Sequence, residues 1–141
     1  MQDENILQSK GRAVTTVTSG STIAEAVDLL NSKKIGAVVV VDDGKVAGIL
    51  SERDIVRHLG KDWAALASRP VSDVMTRAVV SVSRFATVAD VMERMTERRI
   101  RHMPIVEEGE LVGIVSIGDV VKRKIEETEQ EAIALKEYIA S

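Results

Sequence analysis

The sequence predicts an α+β fold made of two pseudo-symmetric β-α-β-β-α units, and three observations predict it. The chain of 141 residues repeats itself: a shift of 65 positions lays Arg12–Arg57 over Arg77–Lys122 without a gap. Within each copy, apolar residues at helical spacing alternate with short apolar runs rich in branched side chains. Aromatic residues make up only 2% of the chain, so the core must come from Val, Ile, Leu, Met and Ala.

The first element of each unit is a short extended piece, "AVTTV" or "AVVSV". It leads to "TIAE" or "TVAD", where a threonine followed three residues later by an acid reads as a capping box at a helix start. Ile23, Ala26, Val27 and Leu30, and then Val88, Val91, Met92 and Met95, follow at helical spacing. The runs Ala37–Val41 and Met103–Val106 are too short for a helix and read as buried strands. Asp43-Gly44 and Glu108-Gly109 mark tight turns, the first pair more strongly than the second. A second strand, Val46–Leu50 or Leu111–Val115, runs into Ser-x-x-Asp and a second helix. One such unit is near the lower limit for burying an adequate core, so the two copies should pack about a pseudo-twofold axis.

The organisation read from this pattern is a first motif over 12–60, a linker over 61–76, a second motif over 77–125 and a helical tail over 126–141. The linker carries Pro70, one of two prolines, and the single Trp63, and should wrap from one half to the other. The tail is helical by propensity, with Ile125, Ile133, Leu135, Tyr138 and Ile139 as scattered apolar positions, which points to a homodimer contact or a helix folded back on its own chain.

Composition narrows the function. There is no cysteine, hence no disulfide framework, thiolate metal site or cysteine nucleophile. No apolar run approaches the roughly 18 residues of a membrane helix, and the first residues lack a signal-peptide pattern, so a cytoplasmic protein is expected. The net charge of −3 argues against nucleic acid as main partner, and the basic run "RRIRH" has no aromatic residues interleaved to stack bases. His58 and His102 are the only histidines, and no P-loop, Gly-x-Ser-x-Gly or His-Glu-x-x-His occurs, so no enzyme is expected and no metal site either.

What remains is the pair of motifs "GILSERDIV" and "GIVSIGDVV", which place Ser51/Asp54 and Ser116/Asp119 at strand-to-helix junctions. Two readings stand side by side. Ser at the N-cap with an acid at N3 caps a helix, worth about 1 kcal/mol. Alternatively the junction binds a ligand: unpaired helix N–H groups attract phosphate, and a carboxylate beside them accepts hydrogen bonds from both hydroxyls of a ribose.

Over Arg12–Lys122 the sequence resembles the tandem cystathionine-β-synthase (CBS) domain pair, or Bateman module, of the stand-alone bacterial type. The resemblance is carried by "STIAEAVDLLNSKKIGAVVVVDDGKVAGILSERDIV", "VSDVMT" and "ATVADVMERMTERRIRHMPIVEEGELVGIVSIGDVV", in family order and spacing. It implies regulatory binding of AMP, ADP, ATP, NAD(H) or, less favoured, S-adenosylmethionine, in clefts between the halves of a disc that dimerises, with no catalysis and an unknown effector protein as partner. Carried over by position, Val79, Val80, Ile100, Arg101, His102, Ile114, Ser116 and Asp119 form a second-half cleft, and Val14, Thr15, Ile35, Ser51, Arg53 and Asp54 a first-half cleft. The aspartates would hold ribose, the serines would lie beside sugar or phosphate, Val14/Thr15 and Val79/Val80 would meet adenine through backbone groups, and Ile35 and Ile100 would wall the base. Arg101 and His102 match the family's basic pair that reaches phosphate; the first half has Gly36-Ala37 there, and Arg53 where the second has Gly118. The second-half cleft is therefore expected to be the better nucleotide site.

Overall fold

The threonine caps set the first helix of each half. Thr22 accepts the Glu25 N–H at the start of α1 (Ile23–Lys33), and Thr87 accepts the Asp90 N–H at the start of α4 (Val88–Arg98). Only the second closes the reciprocal box, with Asp90 accepting from the Thr87 N–H. At α1 the neighbouring Ile23 N–H donates instead to the Arg69 carbonyl of the linker, which lies against that helix start. The computed structural model describes residues 14–140; Arg12 and Ala13, at the start of the repeat, and Ser141 fall outside them.

In the first half, β1 (Thr16–Val17) pairs parallel with β2 (Ala37–Asp42), which pairs antiparallel with β3 (Lys45–Ser51). Asp43 and Gly44 turn the hairpin with φ of 52° and 77°, the two positive values of a type I′ turn. Glu108 and Gly109 repeat it at 51° and 82° between β4 (His102–Glu107) and β5 (Glu110–Ser116). The weaker of the two turn signals thus makes the same turn. Val38, Val39 and Val40 are fully buried, each contributing about 1.5–3 kcal/mol to the core.

The "AVVSV" piece does not extend into a strand. It keeps one parallel bridge, Val82 to Ile105. The reason lies across the ladder. Val82 donates to the Pro104 carbonyl and accepts from Val106, but Pro104 has no N–H to offer back toward Val80. Its counterpart in β2 is Val39, which pairs with Thr16. The ladder therefore stops at Val82 and leaves Val79 and Val80 outside the sheet.

The linker belongs to the first half's core. After α2 (Glu52–Leu59) it forms α3 (Trp63–Ala67) and a 3-10 turn (Val71–Asp73). Leu66, Val71, Val74 and Met75 are buried with Ile23, Leu30 and Leu50. Thr76 then bonds Ile49 through both its N–H and its carbonyl. Gly48 permits this approach, because a Cβ there would lie 2.8 Å from both Met75 Sδ and the Thr76 carbonyl oxygen. The second half has its own core around Val88, Val91, Met103, Ile105, Val115 and Val120. Its last helix, α5 (Ile117–Ala140), runs for 24 residues, so the expected tail continues the Asp119 helix without a break.

Candidate functional site

Both Ser-x-x-Asp motifs form closed capping boxes. Asp54 Oδ2 accepts from the Ser51 N–H (3.0 Å) and hydroxyl (3.1 Å), while the Asp54 N–H donates to Ser51 Oγ (3.3 Å). Asp119 does the same with Ser116, at 2.8, 2.9 and 3.3 Å. In each, one carboxylate oxygen is committed to the helix start. Asp54 Oδ1 receives only a long hydrogen bond from the Thr76 hydroxyl, 3.5 Å. The Asp54 side chain is buried, 8% exposed, at the wall of a cleft.

That cleft has a volume of about 190 Å³ and draws on both halves. The first contributes Gly36, Ile49, Ser51, Glu52, Arg53, Asp54 and Arg57. Thr76 and Ala78 come from the crossing segment, and Val79, Val80, Arg99, Ile100, Arg101, His102 and Pro104 from the second half. The expected grouping by halves is therefore corrected. Arg101, His102, Ile100, Val79 and Val80 share a cleft with Ser51, Arg53 and Asp54, and not with Ile114, Ser116 and Asp119.

The cause is local. Pairing of Thr76 with Ile49 steers Ala78, Val79 and Val80 past the end of β3, where Ser51 begins α2. From the other side, Gly36 brings the start of β4 against α2. Its carbonyl accepts the Glu52 N–H at 3.0 Å, and a Cβ on Gly36 would lie 3.0 Å from His102 Nε2. Arg101 and His102, which the first half replaces with Gly36 and Ala37, are thus supplied to the first half's cleft by the second.

Val14, Thr15, Ile35, Ile114, Ser116 and Asp119 do not line this cleft. Ile117 donates to the Arg101 carbonyl at 2.8 Å, repeating the Glu52–Gly36 bond, so the backbone of a related crevice is present. Its side chains differ. Gly118 stands for Arg53, Lys122 for Arg57, Lys34 for Arg99, Gly36 for Arg101 and Ala37 for His102. The counterparts of Thr76 and Ala78 are Gly11 and Ala13, outside the described residues.

Sequence reasoning missed Gly36, Ile49, Glu52, Arg57, Thr76, Ala78, Arg99 and Pro104 as lining residues. Arg57 was legible, since it follows Arg53 at helical spacing on α2. Arg99 stands in the basic run and caps α4 with φ 55°, which turns it from the helix toward the cleft. Thr76 carried no signal. The lining of the cleft combines apolar Ile49, Val79, Val80 and Ile100, the buried Asp54 carboxylate, the exposed Glu52 and four exposed arginines, Arg53, Arg57, Arg99 and Arg101. Among the described residues no cluster of three or more His, Cys, Asp or Glu could hold a metal ion, and no helix is long and apolar enough to cross a membrane.

Comparison with known proteins agrees with this architecture. The CBS domain family model matches twice, over residues 11–61 and 71–126. The chain belongs to the CBS-domain family and is a tandem CBS pair. It is 33% identical over 144 residues to the mitochondrial CBS domain-containing protein CBSX3 of Arabidopsis thaliana, covering 96% of this chain and 70% of that one. The crystal structure of the CBS-domain protein ATU1752 from Agrobacterium tumefaciens superposes with a TM-score of 0.79 at 48% identity, covering 84% of this chain and 90% of that one. The CBS domain pair of protein MJ0100, solved with 5′-methylthioadenosine and S-adenosyl-L-methionine, superposes with a TM-score of 0.77 at 26% identity, covering 86% and 95%. CBS pairs of this kind are regulatory ligand-binding modules.

Proposed function

We propose that this chain is a non-catalytic sensor that binds an adenosine nucleotide, AMP, ADP, ATP or NAD(H), in the Asp54 cleft and acts in trans on another protein. One observation carries the reading: the buried Asp54 carboxylate, an apolar slot and four arginines meet in a single cleft. Asp54 Oδ1 accepts a ribose hydroxyl in place of the long Thr76 bond, while Oδ2 stays with the helix cap. The base lies between Ile49, Ile100 and the Val79–Val80 segment. Val79 donates its N–H to the Arg77 carbonyl, so this segment offers carbonyl oxygens to the amino group of adenine.

Size and charge choose among adenosyl ligands. A volume of about 190 Å³ is below the ~300–1,000 Å³ of most small-molecule sites, so base and sugar fill the cleft and phosphates extend to its mouth. There they meet Arg53, Arg57, Arg99 and Arg101, whose guanidinium forks suit phosphate oxygens. S-adenosylmethionine, which carries a sulfonium cation, is disfavoured by the same four charges, although MJ0100 binds it. AMP has about 23 non-hydrogen atoms, and at ~0.3 kcal/mol each the expected dissociation constant is about 10 μM. Such an affinity suits a reader of nucleotide levels in the cytoplasm.

The module forms a homodimer in this reading, through Val56, Leu59, Ile117 and Val121, apolar residues left exposed on α2 and α5. A rival reading, a structural dimerisation module without ligand, draws on the two closed capping boxes, since capping alone accounts for both motifs. Titration calorimetry with ATP, AMP, NAD, adenosine and S-adenosylmethionine separates them. The sensor reading expects phosphorylated ligands to bind in a salt-dependent way; absence of heat with all five supports the structural rival.

A further inference from the structure

We infer that the C-terminal half of α5 pairs with α5 of a second copy of this chain as a parallel two-stranded coiled coil. The inference rests on the homodimer reading above and extends it to a surface and an orientation. Val121, Ile125, Thr128, Ala132, Leu135 and Ile139 recur at alternating spacings of four and three, the a/d period of a heptad. At about 100° per residue they lie within an arc of about 80°, and Ile117 falls on the same stripe. All of them are exposed; Val121, Ile125, Leu135 and Ile139 are 47%, 53%, 59% and 74% so. The face of α5 that meets its own core is a different one, marked by the buried Val120 and Glu127. Ile133 and Tyr138 lie outside the stripe.

Charge beside the stripe selects the occupant and its direction. With Ile125, Ala132 and Ile139 at a, the g positions include Lys124 and Glu131, and the e positions Glu129 and Lys136. In a parallel pair each g residue faces the e residue five further on in its partner, which sets Lys124 against Glu129 and Glu131 against Lys136. Both contacts are attractive. An antiparallel pair centred on the same stripe, in which e faces e and g faces g, sets Glu129 against Glu129, Glu131 against Glu131 and Lys122 against Lys136, all repulsive. Fewer than three heptads are short for an isolated coil. The coil is therefore continuous with the apolar groove of Ile117, Gly118, Val121 and Ile125 at the start of the same helix, where the homodimer contact begins.

The chain has no cysteine, which makes cross-linking of single cysteine variants clean. In the full-length protein, Ile139→Cys places two thiols at facing a positions of a parallel pair, and mild oxidation is expected to give a covalent dimer. Gln130→Cys, on the outer side of the coil, is expected to stay uncross-linked. An antiparallel arrangement holds the two thiols of Ile139→Cys about 27 Å apart along the axis and gives no disulfide. By sedimentation equilibrium Glu131→Lys should weaken dimerisation about tenfold, and the added Lys136→Glu should restore it. A dimer that ignores the charge changes and does not cross-link at position 139 overturns the coil and leaves the homodimer standing. A full-length chain that stays monomeric at tens of micromolar overturns both. Circular dichroism of each variant checks that α5 remains helical.

Discussion

Gly36 lies directly against the His102 ring of the other half: a methyl group on Gly36 would sit 3.0 Å from Nε2 and 3.1 Å from Cε1. The sequence difference between the halves, Gly36 in one and Arg101 in the other, is thus a packing requirement of a single cleft. Gly36→Ala should tilt the imidazole off its seat. The expected outcome is a nucleotide affinity about tenfold lower by titration calorimetry, with stability to urea changed by less than about 1 kcal/mol.

Asp54 and Asp119 do equal work as caps and unequal work at the cleft. Asp54→Asn keeps one amide oxygen for the cap but loses the charged hydrogen bond to ribose that the proposed site would make, worth about 1.5–3 kcal/mol, or about 10- to 150-fold in affinity. Asp119→Asn should cost similar stability and leave binding at the Asp54 cleft within twofold. Equal losses of affinity in both variants would place a working site in each crevice.

In the proposed nucleotide complex Arg53 and Arg57 would touch the ligand only through phosphate. The double variant Arg53→Ala/Arg57→Ala should weaken ATP more than AMP, leave adenosine unchanged, and flatten the salt dependence of ATP binding. Affinity measured at two salt concentrations for the three ligands checks it.

Gly48→Ala tests the segment that carries Thr76 to Val80. The added Cβ meets Met75 Sδ and the Thr76 carbonyl oxygen at 2.8 Å, well inside ordinary contact. Overpacking of this kind costs about 1–3 kcal/mol, read from the urea midpoint. Because the displaced segment leads into the cleft wall, nucleotide binding should fall as well.

The acid limb of stability has one identified contributor. Hydrogen bonds from the Ser19 side chain and then its backbone N–H hold the Asp42 carboxyl below its ordinary value of 3.8. A folded value below the unfolded one means that the stabilisation is complete above pH of about 4 and is lost as pH falls through the folded value. Asp42→Asn should remove that part of the acid dependence by lowering stability in the neutral region while leaving the acid end nearly unchanged, as followed by thermal melts between about pH 2 and pH 7.

The repeat made most of the local structure legible. Helix starts, both hairpins with their Gly44 and Gly109 turns, and the strand-to-helix junctions at Ser51 and Ser116 all follow from residue types at fixed spacing. What the repeat could not convey is how its copies pack. Internal register relates Asp54 to Asp119 but does not say that Asp54 shares a cleft with His102, because that depends on Thr76 pairing with Ile49 and on the space left at Gly36. The shortened sheet of the second half could be read only after the ladder was known, since Pro104 interrupts it at a position where Val39 does not. The burial of Val71, Val74 and Met75 was hidden in the same way, by a segment whose composition reads as a connection.

The most direct test is a titration of the full-length protein with ATP at low salt, followed by the same titration of Asp54→Asn. Saturable binding of one nucleotide per chain that collapses when residue 54 is neutralised is the predicted result. No heat with the unaltered protein, or undiminished binding by the variant, would contradict the placing of a nucleotide between the two halves at that carboxylate.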